Sequence, residues 1–247
     1  MQEGRKINHI TAVEVEVNDA AVVLNAIDKS QARIEFLPDG TITNANENFL
    51  KTMGYSQAEI IGQKHKMFCE ASYADSDDYK KFWDSLSAGE FVSGEFKRVG
   101  KNEKEIWIVG SYNPVVDASG NVTKVIKIAT DITASKVEIK VLYDIINLTS
   151  IVSEANLKGD IVSVNEKFLE VSKYPKDELI GKGHNTTRHP DMPKEVFKEM
   201  WATIGRGKIF RGMVKNRAKD GTPYYVDAVI APVLGDNGKP RKYIGVR

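Results

Sequence analysis

The sequence lacks several features that would place it in common protein classes. It has a single cysteine, Cys69, so an internal disulfide framework is excluded and a reducing compartment is expected. No apolar run approaches the roughly 18 residues that span a bilayer, and no basic-then-apolar leader opens the chain. We therefore expect a cytoplasmic protein without direct membrane insertion.

Motifs of the common enzyme classes are also missing. The sequence contains no His-Glu-x-x-His, no Cys-x-x-Cys and no phosphate-binding Gly-x-x-x-x-Gly-Lys-Ser/Thr. Its four histidines form no metal-ligand spacing. A net charge of +1 without a basic and aromatic stripe argues against nucleic-acid binding. These absences predict a protein that is not an enzyme, with no nucleic-acid partner and no catalytic residues. A flavoenzyme that uses NAD(P)H stays open as an alternative.

The sequence does contain a long internal repeat. Conserved spacing relates two segments by an offset of 119 residues in their first half and 118 in their second half. The pairs at 119 are Gly40/Gly159, Asn46/Asn165, Phe49/Phe168, Tyr55/Tyr174, Gly62/Gly181 and His65/His184; those at 118 are Trp83/Trp201, Gly89/Gly207, Gly94/Gly212, Pro114/Pro232 and Gly120/Gly238. A solenoid unit is much shorter, and this period is the length of a small domain. The repeat therefore predicts two copies of one domain.

The sequence of each copy predicts two short strands, then a helical segment, then three longer strands. In the first copy the strands are Ala32–Phe36, Thr41–Asn44, Phe91–Val99, Glu105–Val115 and Val122–Thr133, and the helices are Asn46–Thr52, Ser56–Ile60 and Asp77–Ala88. This order is typical of an α+β fold, with a five-stranded antiparallel sheet and helices on one face. We expect an N-terminal amphipathic helix in residues 1–30, domains at 31–133 and 152–247, and a helical linker at 134–151.

Two amphipathic segments precede the two copies. Apolar residues recur at helical spacing in Glu14–Asp28 and again in Ser135–Thr149. Each helix either packs on its own domain or forms a seam between two chains, because an isolated helix this short is marginal. We predict that at least one of them mediates a homodimer.

The motifs of both copies resemble those of a known domain family. Gly-x-Ile-x-x-x-Asn-x-x-Phe, Glu-x-Ile/Leu-Ile-Gly, a Trp before a Gly and the terminal Asp131-Ile132-Thr133 resemble a PAS domain, here in tandem. The first copy is similar to PAS units that precede bacterial chemoreceptor signalling modules. The second copy, through Thr187–Pro193, Glu199–Trp201 and Val214–Arg217, is similar to the sensor domain of bacterial aerotaxis receptors. That family binds FAD non-covalently and reads the cellular redox state.

The resemblance implies the cytoplasmic redox, oxygen or energy input region of a bacterial signal-transduction protein. A chemoreceptor is favoured, and a histidine kinase is the alternative. Arg247 aligns with Ala129, so the Asp-Ile-Thr exit has no counterpart in the second copy. We therefore expect an excised sensory region whose downstream signalling domain lies outside these residues.

The resemblance also implies a flavin site in the second copy. It assigns cofactor binding to Arg188, His189, Asp191 and Asn216, and more loosely to Asn165. A guanidinium suits a dianionic pyrophosphate, and side-chain amides match the edge of an isoalloxazine ring. Trp201 or Phe210 would add apolar walls, although the family has Trp where this chain has Phe210.

Charge and the repeat bear on that assignment. Residues 134–247 hold 20 Lys and Arg against 14 Asp and Glu, a net +6, whereas residues 1–133 carry −5. The positive half is consistent with an anionic ligand or with an ordinary solvated surface. The first copy has no counterpart of Arg-His-Pro-Asp, so no ligand is predicted for it.

Several alternatives remain open from the sequence. Asn46 and Asn165 precede helices, where Asn commonly caps free N–H groups, and the two tryptophans suit a core stripe. PAS domains can also hold haem through a histidine, which makes His65 and His184 candidate axial ligands. A covalent flavin–cysteine photocycle is disfavoured, since Cys69 is not in a Gly-x-Asn-Cys pattern. A ligand-free interaction and dimerisation module is the remaining class, and an absorbance spectrum separates these possibilities.

Overall fold

The computed structural model describes residues 21–247, which form two compact units divided between Glu138 and Ile139. The elements of the first are α1 (residues 21–30), β1 (Ala32–Phe36), β2 (Ile42–Ala45), α2 (Glu47–Met53), α3 (Gln57–Ile60), a 3₁₀ helix (His65–Phe68), α4 (Ala71–Ala74), α5 (Asp77–Ser87), β3 (Val92–Val99), β4 (Glu105–Val116) and β5 (Val122–Asp131). A single helix, α6 (Thr133–Thr149), follows. The part of the predicted N-terminal helix before residue 21 lies outside the described residues.

The second unit repeats this order. Its elements are β6 (Val152–Ala155), β7 (Ile161–Val164), α7 (Glu166–Ser172), α8 (Lys176–Leu179), a 3₁₀ helix (His184–Thr187), α9 (Lys194–Gly205), β8 (Phe210–Arg217), β9 (Pro223–Leu234) and β10 (Pro240–Val246). The antiparallel sheets have the strand orders β2-β1-β5-β4-β3 and β7-β6-β10-β9-β8. The predicted α+β fold with two five-stranded antiparallel sheets is confirmed. Within residues 21–247, no helix combines the length and the apolarity needed to cross a membrane.

The asparagine that precedes the first helix after the hairpin has the same role in both domains. Asn165 Oδ1 accepts hydrogen bonds from the backbone N–H of Phe168, at 3.0 Å, and of Val152, at 2.9 Å. Its Nδ2 donates to the carbonyls of Asn147 and Ser150. Asn46 accepts the corresponding pair of bonds in the first domain. The side chain therefore caps one helix and also fastens the segment that leads into the domain.

A glycine and a tryptophan meet at the first hairpin of each domain. Gly40 and Gly159 lie in the turn with φ of +79° and +88°, which is the left-handed region. A β-carbon built on Gly159 would lie 2.7 Å from Trp201, and one built on Gly40 would lie 3.1 Å from Trp83. The repeated Gly and Trp therefore belong to one packing contact between the turn and the long helix.

The helix α6 buries none of its side chains. Eight of its apolar residues are exposed, namely Val137, Ile139, Val141, Leu142, Tyr143, Ile145, Ile146 and Leu148. In α1, Val22, Val23 and Leu24 are exposed as well. A soluble helix normally packs an apolar stripe on a neighbour, so these faces are available to a partner surface.

Candidate functional site

The second domain encloses a cavity of about 540 Å³ between its sheet and its helical segments. The cavity is lined from β6, β8, β9 and β10 on the sheet side, and from α9 and the 3₁₀ helix on the other. Cavities of roughly 300–1,000 Å³ with a few polar groups in an apolar lining are typical small-molecule sites. This cavity is therefore the candidate binding site.

The cavity exists because the second copy has small side chains where the first has large ones. Strand registers equate Gly245 with Lys127, since Gly245 pairs with Ser153 and Ile230, while Lys127 pairs with Ile34 and Tyr112. The same comparison places Ala155 where Phe36 stands, Ile230 where Tyr112 stands and Asn216 where Arg98 stands. These replacements empty the middle of the sheet's inner face.

In the first domain the same space is filled by aromatic side chains around His65. The imidazole is 1% exposed, with Nε2 2.9 Å from Tyr112 Oη and Nδ1 3.2 Å from Tyr79 Oη. Ring centroids of Phe36 and Trp83 lie 5.4 and 5.5 Å from that of His65. Both ring nitrogens are occupied and the ring is enclosed, so His65 has no open side for an axial ligand role.

Positive charge predominates in the lining of the cavity. Lys158, Arg188 and Arg247 contribute cationic groups, and Asp160 is the one carboxylate in the lining that the described residues supply. Asp160 already accepts a hydrogen bond from Asn156 Nδ2 at 2.9 Å. The cavity therefore favours an anionic occupant.

Arg188 is held at the wall of the cavity by backbone and ring contacts. Its backbone forms an antiparallel bridge with Asn216 on β8, which puts the two residues side by side. Its guanidinium lies 4.0 Å from the ring centroid of Phe197 and donates from Nη2 to the carbonyl of Met192 at 3.0 Å. No carboxylate in residues 21–247 pairs with it, so its remaining donors can serve a ligand.

Arg247, Ser153 and His184 form a polar chain at another part of the lining. Arg247 Nη1 donates to Ser153 Oγ at 2.8 Å, and that hydroxyl lies 3.3 Å from His184 Nε2. Burial lowers the pKa of Arg247 to about 10, and burial together with Arg247 lowers the pKa of His184 to about 3. The guanidinium is therefore charged and the imidazole neutral near pH 7.

Gly245 gives the Arg247 side chain its path into the cavity. The two residues follow each other on one face of the sheet, and a β-carbon on Gly245 would lie 2.8 Å from Arg247 Nη2. Any larger residue at this position would displace the guanidinium.

Of the seven residues predicted from the sequence, the structure brings three to the cavity. Arg188, Trp201 and Asn216 line it, and Asn216 is buried at 8% exposure. Trp201 also packs edge-on against Tyr243, with ring centroids 5.7 Å apart. Trp201 is 38% exposed, so its indole lies at the edge of the cavity rather than in the core.

The other four predicted residues lie outside the lining. Asn165 is fully engaged in the capping described above, and Phe210 packs in a core cluster with Met200, Ile204 and Tyr243. His189 turns away, because its N–H bonds to the Lys215 carbonyl and its Nδ1 accepts from the Asp191 N–H. Asp191 pairs at the surface with Lys215 at 2.8 Å.

Sequence reasoning missed Arg247, Ser153, Lys158 and the two small residues Ala155 and Gly245. The signal was present in the repeat itself, since Gly245 replaces Lys127 and Ala155 replaces Phe36. Comparing side-chain volumes between the copies, rather than matching identities, would have pointed to them. His184, the other haem candidate, does line the cavity.

Comparisons with known proteins agree with this architecture. Residues 34–134 match the family model described as the PAS domain, and residues 161–247 match the one described as the PAS fold. The chain is 36% identical over 225 residues to the biofilm dispersion protein BdlA of Pseudomonas aeruginosa. The aligned region covers 89% of this chain and 54% of BdlA. It is 41% identical over 99 residues to the aerotaxis receptor of Escherichia coli, covering 40% of this chain and 19% of the receptor.

A third relative is a nitrogen fixation regulatory protein of Klebsiella pneumoniae, 28% identical over 96 residues, or 39% of this chain and 19% of that protein. The chain thus spans about half the length of BdlA and about a fifth of the other two relatives. Both halves of the chain match PAS family models, and both contain a five-stranded sheet with the same strand order. The chain therefore belongs to the PAS family and carries two PAS domains in tandem.

Proposed function

We propose that this chain is the sensory region of a chemotaxis-type signalling protein and that its second PAS domain binds FAD. The observation that carries the proposal is the cavity of about 540 Å³, which brings Arg188, Asn216 and Trp201 together in a cationic lining. Similarity of the chain over 99 residues to an aerotaxis receptor supports the same interpretation. The site's chemistry makes it the better-supported of the flavin, haem and ligand-free alternatives.

The residues present fit a flavin dinucleotide. Arg188 and Arg247 offer directed N–H donors for anionic oxygens, and the Asn216 amide can pair with the edge of a heterocycle. Trp201 and Phe197 provide aromatic surface beside these groups. Bound FAD would supply a redox-active ring whose charge and protonation differ between its oxidised and reduced forms.

The proposed site could sense the redox state of its occupant, because a change in the occupant's charge matters in a cationic, partly buried site. A change of charge in the occupant alters its interaction free energy with Arg188 and Arg247. Such an occupant shifts a conformational equilibrium only by its differential affinity for the two conformations. The backbones of Asn216 and Arg188 are joined by one antiparallel bridge, so a shift of one residue would be felt by the other.

An absorbance spectrum of the purified protein tests the proposal. We expect flavin absorbance bands, and heat should release the flavin into solution. In Arg188→Ala and Asn216→Ala the flavin content should fall strongly while the fold stays intact. Arg211→Ala is the matched control. Arg211 is an exposed arginine on β8, the strand that carries Asn216, and it pairs with Asp227. Full flavin occupancy in both site variants would remove these residues from the site.

The same spectrum separates the alternatives. A haem Soret band lost in His184→Ala would replace flavin by haem, with His184 as the axial ligand. A colourless protein that takes up neither cofactor would favour the ligand-free module. Turnover of NAD(P)H by the loaded protein would be needed to support an enzyme.

The proposal includes a homodimer formed through α1 or α6. The exposed apolar residues of α6 support it, since they extend along the whole helix. Light scattering should give twice the monomer mass at tens of micromolar, and Leu142→Glu with Ile146→Glu should lower it. Lys140→Glu, at an exposed polar position of the same helix, is the control. A monomeric mass for the unaltered protein would overturn the dimer.

The proposal also places a signalling domain outside this sequence, since the chain spans about half of BdlA. The full-length gene decides its type. A long heptad-patterned helical hairpin would support a chemoreceptor, and a nucleotide-binding kinase domain would support the alternative.

A further inference from the structure

The first domain buries two cationic side chains that no carboxylate within residues 21–247 balances. Arg98 on β3 is 3% exposed and Lys127 on β5 is 2% exposed. The Lys and Arg side chains that form ion pairs in this domain are other ones, such as Lys97 with Glu105. An unpaired buried charge is strongly unfavourable, so two in one small domain require an explanation.

The two cations converge on the same pair of aromatic rings. Arg98 Nη2 donates to Tyr112 Oη at 3.0 Å, and its Cζ lies 4.9 Å from the centroid of Phe96. Lys127 Nζ lies 4.5 Å from the centroid of Tyr112 and 5.7 Å from that of Phe96. Ring faces attract a cation, but they do not satisfy its N–H donors as an oxygen or halide would.

Donors are left over at this point of the core. Arg98 Nε is buried and has no hydrogen-bond partner among the described residues. The Lys127 ammonium offers three N–H donors, and its recorded contacts are ring faces. Arg98 Nη1 donates to the Lys97 carbonyl at 2.7 Å and Nη2 to Tyr112 Oη, so the donors without an acceptor among the described residues are Arg98 Nε and those of the Lys127 ammonium.

Neighbouring titratable groups do not supply the missing negative charge. Burial raises the pKa of Tyr112 to about 12 and raises the pKa of the Cys69 thiol, so both are neutral near pH 7. His65 stands between Tyr112 and Tyr79, and burial lowers its pKa, so it is neutral as well. Within residues 21–247, therefore, nothing supplies the counter-charge, and it must come from outside these residues or be avoided by a neutral lysine.

We propose that the first PAS domain binds a small monovalent anion, of the size of chloride, formate or acetate, between Arg98 and Lys127. Both cations contact the closely packed rings of Phe96 and Tyr112, whose centroids lie 5.3 Å apart, so an occupant beside them must be small. The second domain has Asn216 and Gly245 at these two positions, so the site belongs to the first domain alone. The tandem would then carry two sites of different size for two different anionic ligands.

A fluorescence titration tests the site with Trp83 as reporter. Trp83 is packed against the same core, 5.7 Å from Phe82 by ring centroids, and Trp107→Phe with Trp201→Phe leaves it the sole tryptophan. Chloride, formate, acetate and sulfate are each added as sodium salts, with ionic strength held constant by sodium gluconate, which is too large for the site. We expect a saturable change of Trp83 emission with one or more of the three small anions and none with sulfate. The ranking of the three distinguishes a halide from a carboxylate ligand.

Matched variants make the result specific. Lys127→Met should weaken the response at least about tenfold, while Lys124→Met, at a half-buried lysine of the same strand that is already paired with Glu35, should leave it unchanged. If Lys127→Met does not fold, Arg98→Met and the anion dependence of the thermal midpoint of the first domain take its place. A response that never saturates, that is equal in sulfate, or that survives Lys127→Met (or Arg98→Met in its place) would overturn the proposal and leave Lys127 as a neutral amine.

Discussion

Lys127 in the first domain and Gly245 in the second occupy the same position in the last strand of their sheets. Each faces the equivalent pair of neighbours, Ile34 and Tyr112 in one case and Ser153 and Ile230 in the other. One position thus fills the interior of the first domain with an amine and leaves the interior of the second open. The two halves share a fold but differ in what the fold can enclose.

Ala155→Phe should close the second cavity without unfolding the domain. Phe36 stands at the equivalent position of the first domain, so the fold accommodates this side chain there. We expect cofactor affinity to fall by at least about tenfold, because the ring occupies space that the ligand needs. Flavin absorbance per folded molecule measures it, and Val162→Phe, at an exposed position on β7, is the control. Unchanged occupancy would show that the cofactor binds elsewhere.

Gly159→Ala should destabilise the second domain more than Gly181→Ala does. Both residues have left-handed φ, of +88° and +77°, so both substitutions carry a backbone strain of about 1–2 kcal/mol. A β-carbon on Gly159 would also meet Trp201 at 2.7 Å, whereas one on Gly181 meets nothing within 4 Å. Urea unfolding and the near-ultraviolet circular dichroism of Trp201 measure the difference. Equal losses in the two variants would argue against the contact.

Asn165→Ala should lower stability by about 0.5–2 kcal/mol, as expected when a helix cap is lost. Cofactor content per folded molecule should stay the same, because the side chain lies outside the cavity lining. Asn46→Ala in the first domain is the matched cap variant. Selective loss of flavin in Asn165→Ala would return this residue to the site.

Lys127→Met should stabilise the first domain in a buffer low in small anions, because it removes a buried amine that no carboxylate in residues 21–247 balances; replacement of buried ion pairs by apolar groups is itself often stabilising by about 1–4 kcal/mol. Burial, followed by Arg98, lowers the pKa of Lys127 well below its ordinary value of 10.5. The groups around it are Arg98, Cys69, His65 and Tyr112.

The sign of the pH dependence follows from that shift. Between the depressed folded pKa and 10.5 the unfolded state binds more protons, so stability of the unaltered protein should rise with pH across this window. In Lys127→Met that part of the rise should be absent, and Lys124→Met should keep it. Urea unfolding followed by Trp83 emission measures both, and parallel pH profiles would contradict the prediction.

Most of the fold could be predicted because it rests on local signals. The glycine in the first turn, the capping asparagine and the β-branched residues of the strands each act over a few residues, and the glycine and the asparagine occur at equivalent positions of both copies. The strand Ala32–Phe36 was predicted with its observed bounds, and other elements differ by one or two residues at their ends.

The site was harder to predict from the sequence because its shape depends on the sizes of side chains that are far apart in the chain. A cavity appears only when Ala155, Asn216 and Gly245, on three different strands, are all smaller than their counterparts. Orientation was also hidden from the sequence. Arg188 and His189 are adjacent, yet Arg188 lines the cavity while the His189 side chain lies outside the lining and accepts the Asp191 N–H. Motif matching treats such neighbours alike.

Asn165 joins three pieces of backbone to a single side chain. Its amide holds the carbonyls of Asn147, in the last turn of α6, and Ser150, while its oxygen holds the N–H of Val152 on β6. The next residue along β6 is Ser153, whose hydroxyl accepts from Arg247 at the cavity wall. Asn165 therefore connects the strand that carries a cavity-lining serine to the end of α6, although its own side chain lies outside the pocket.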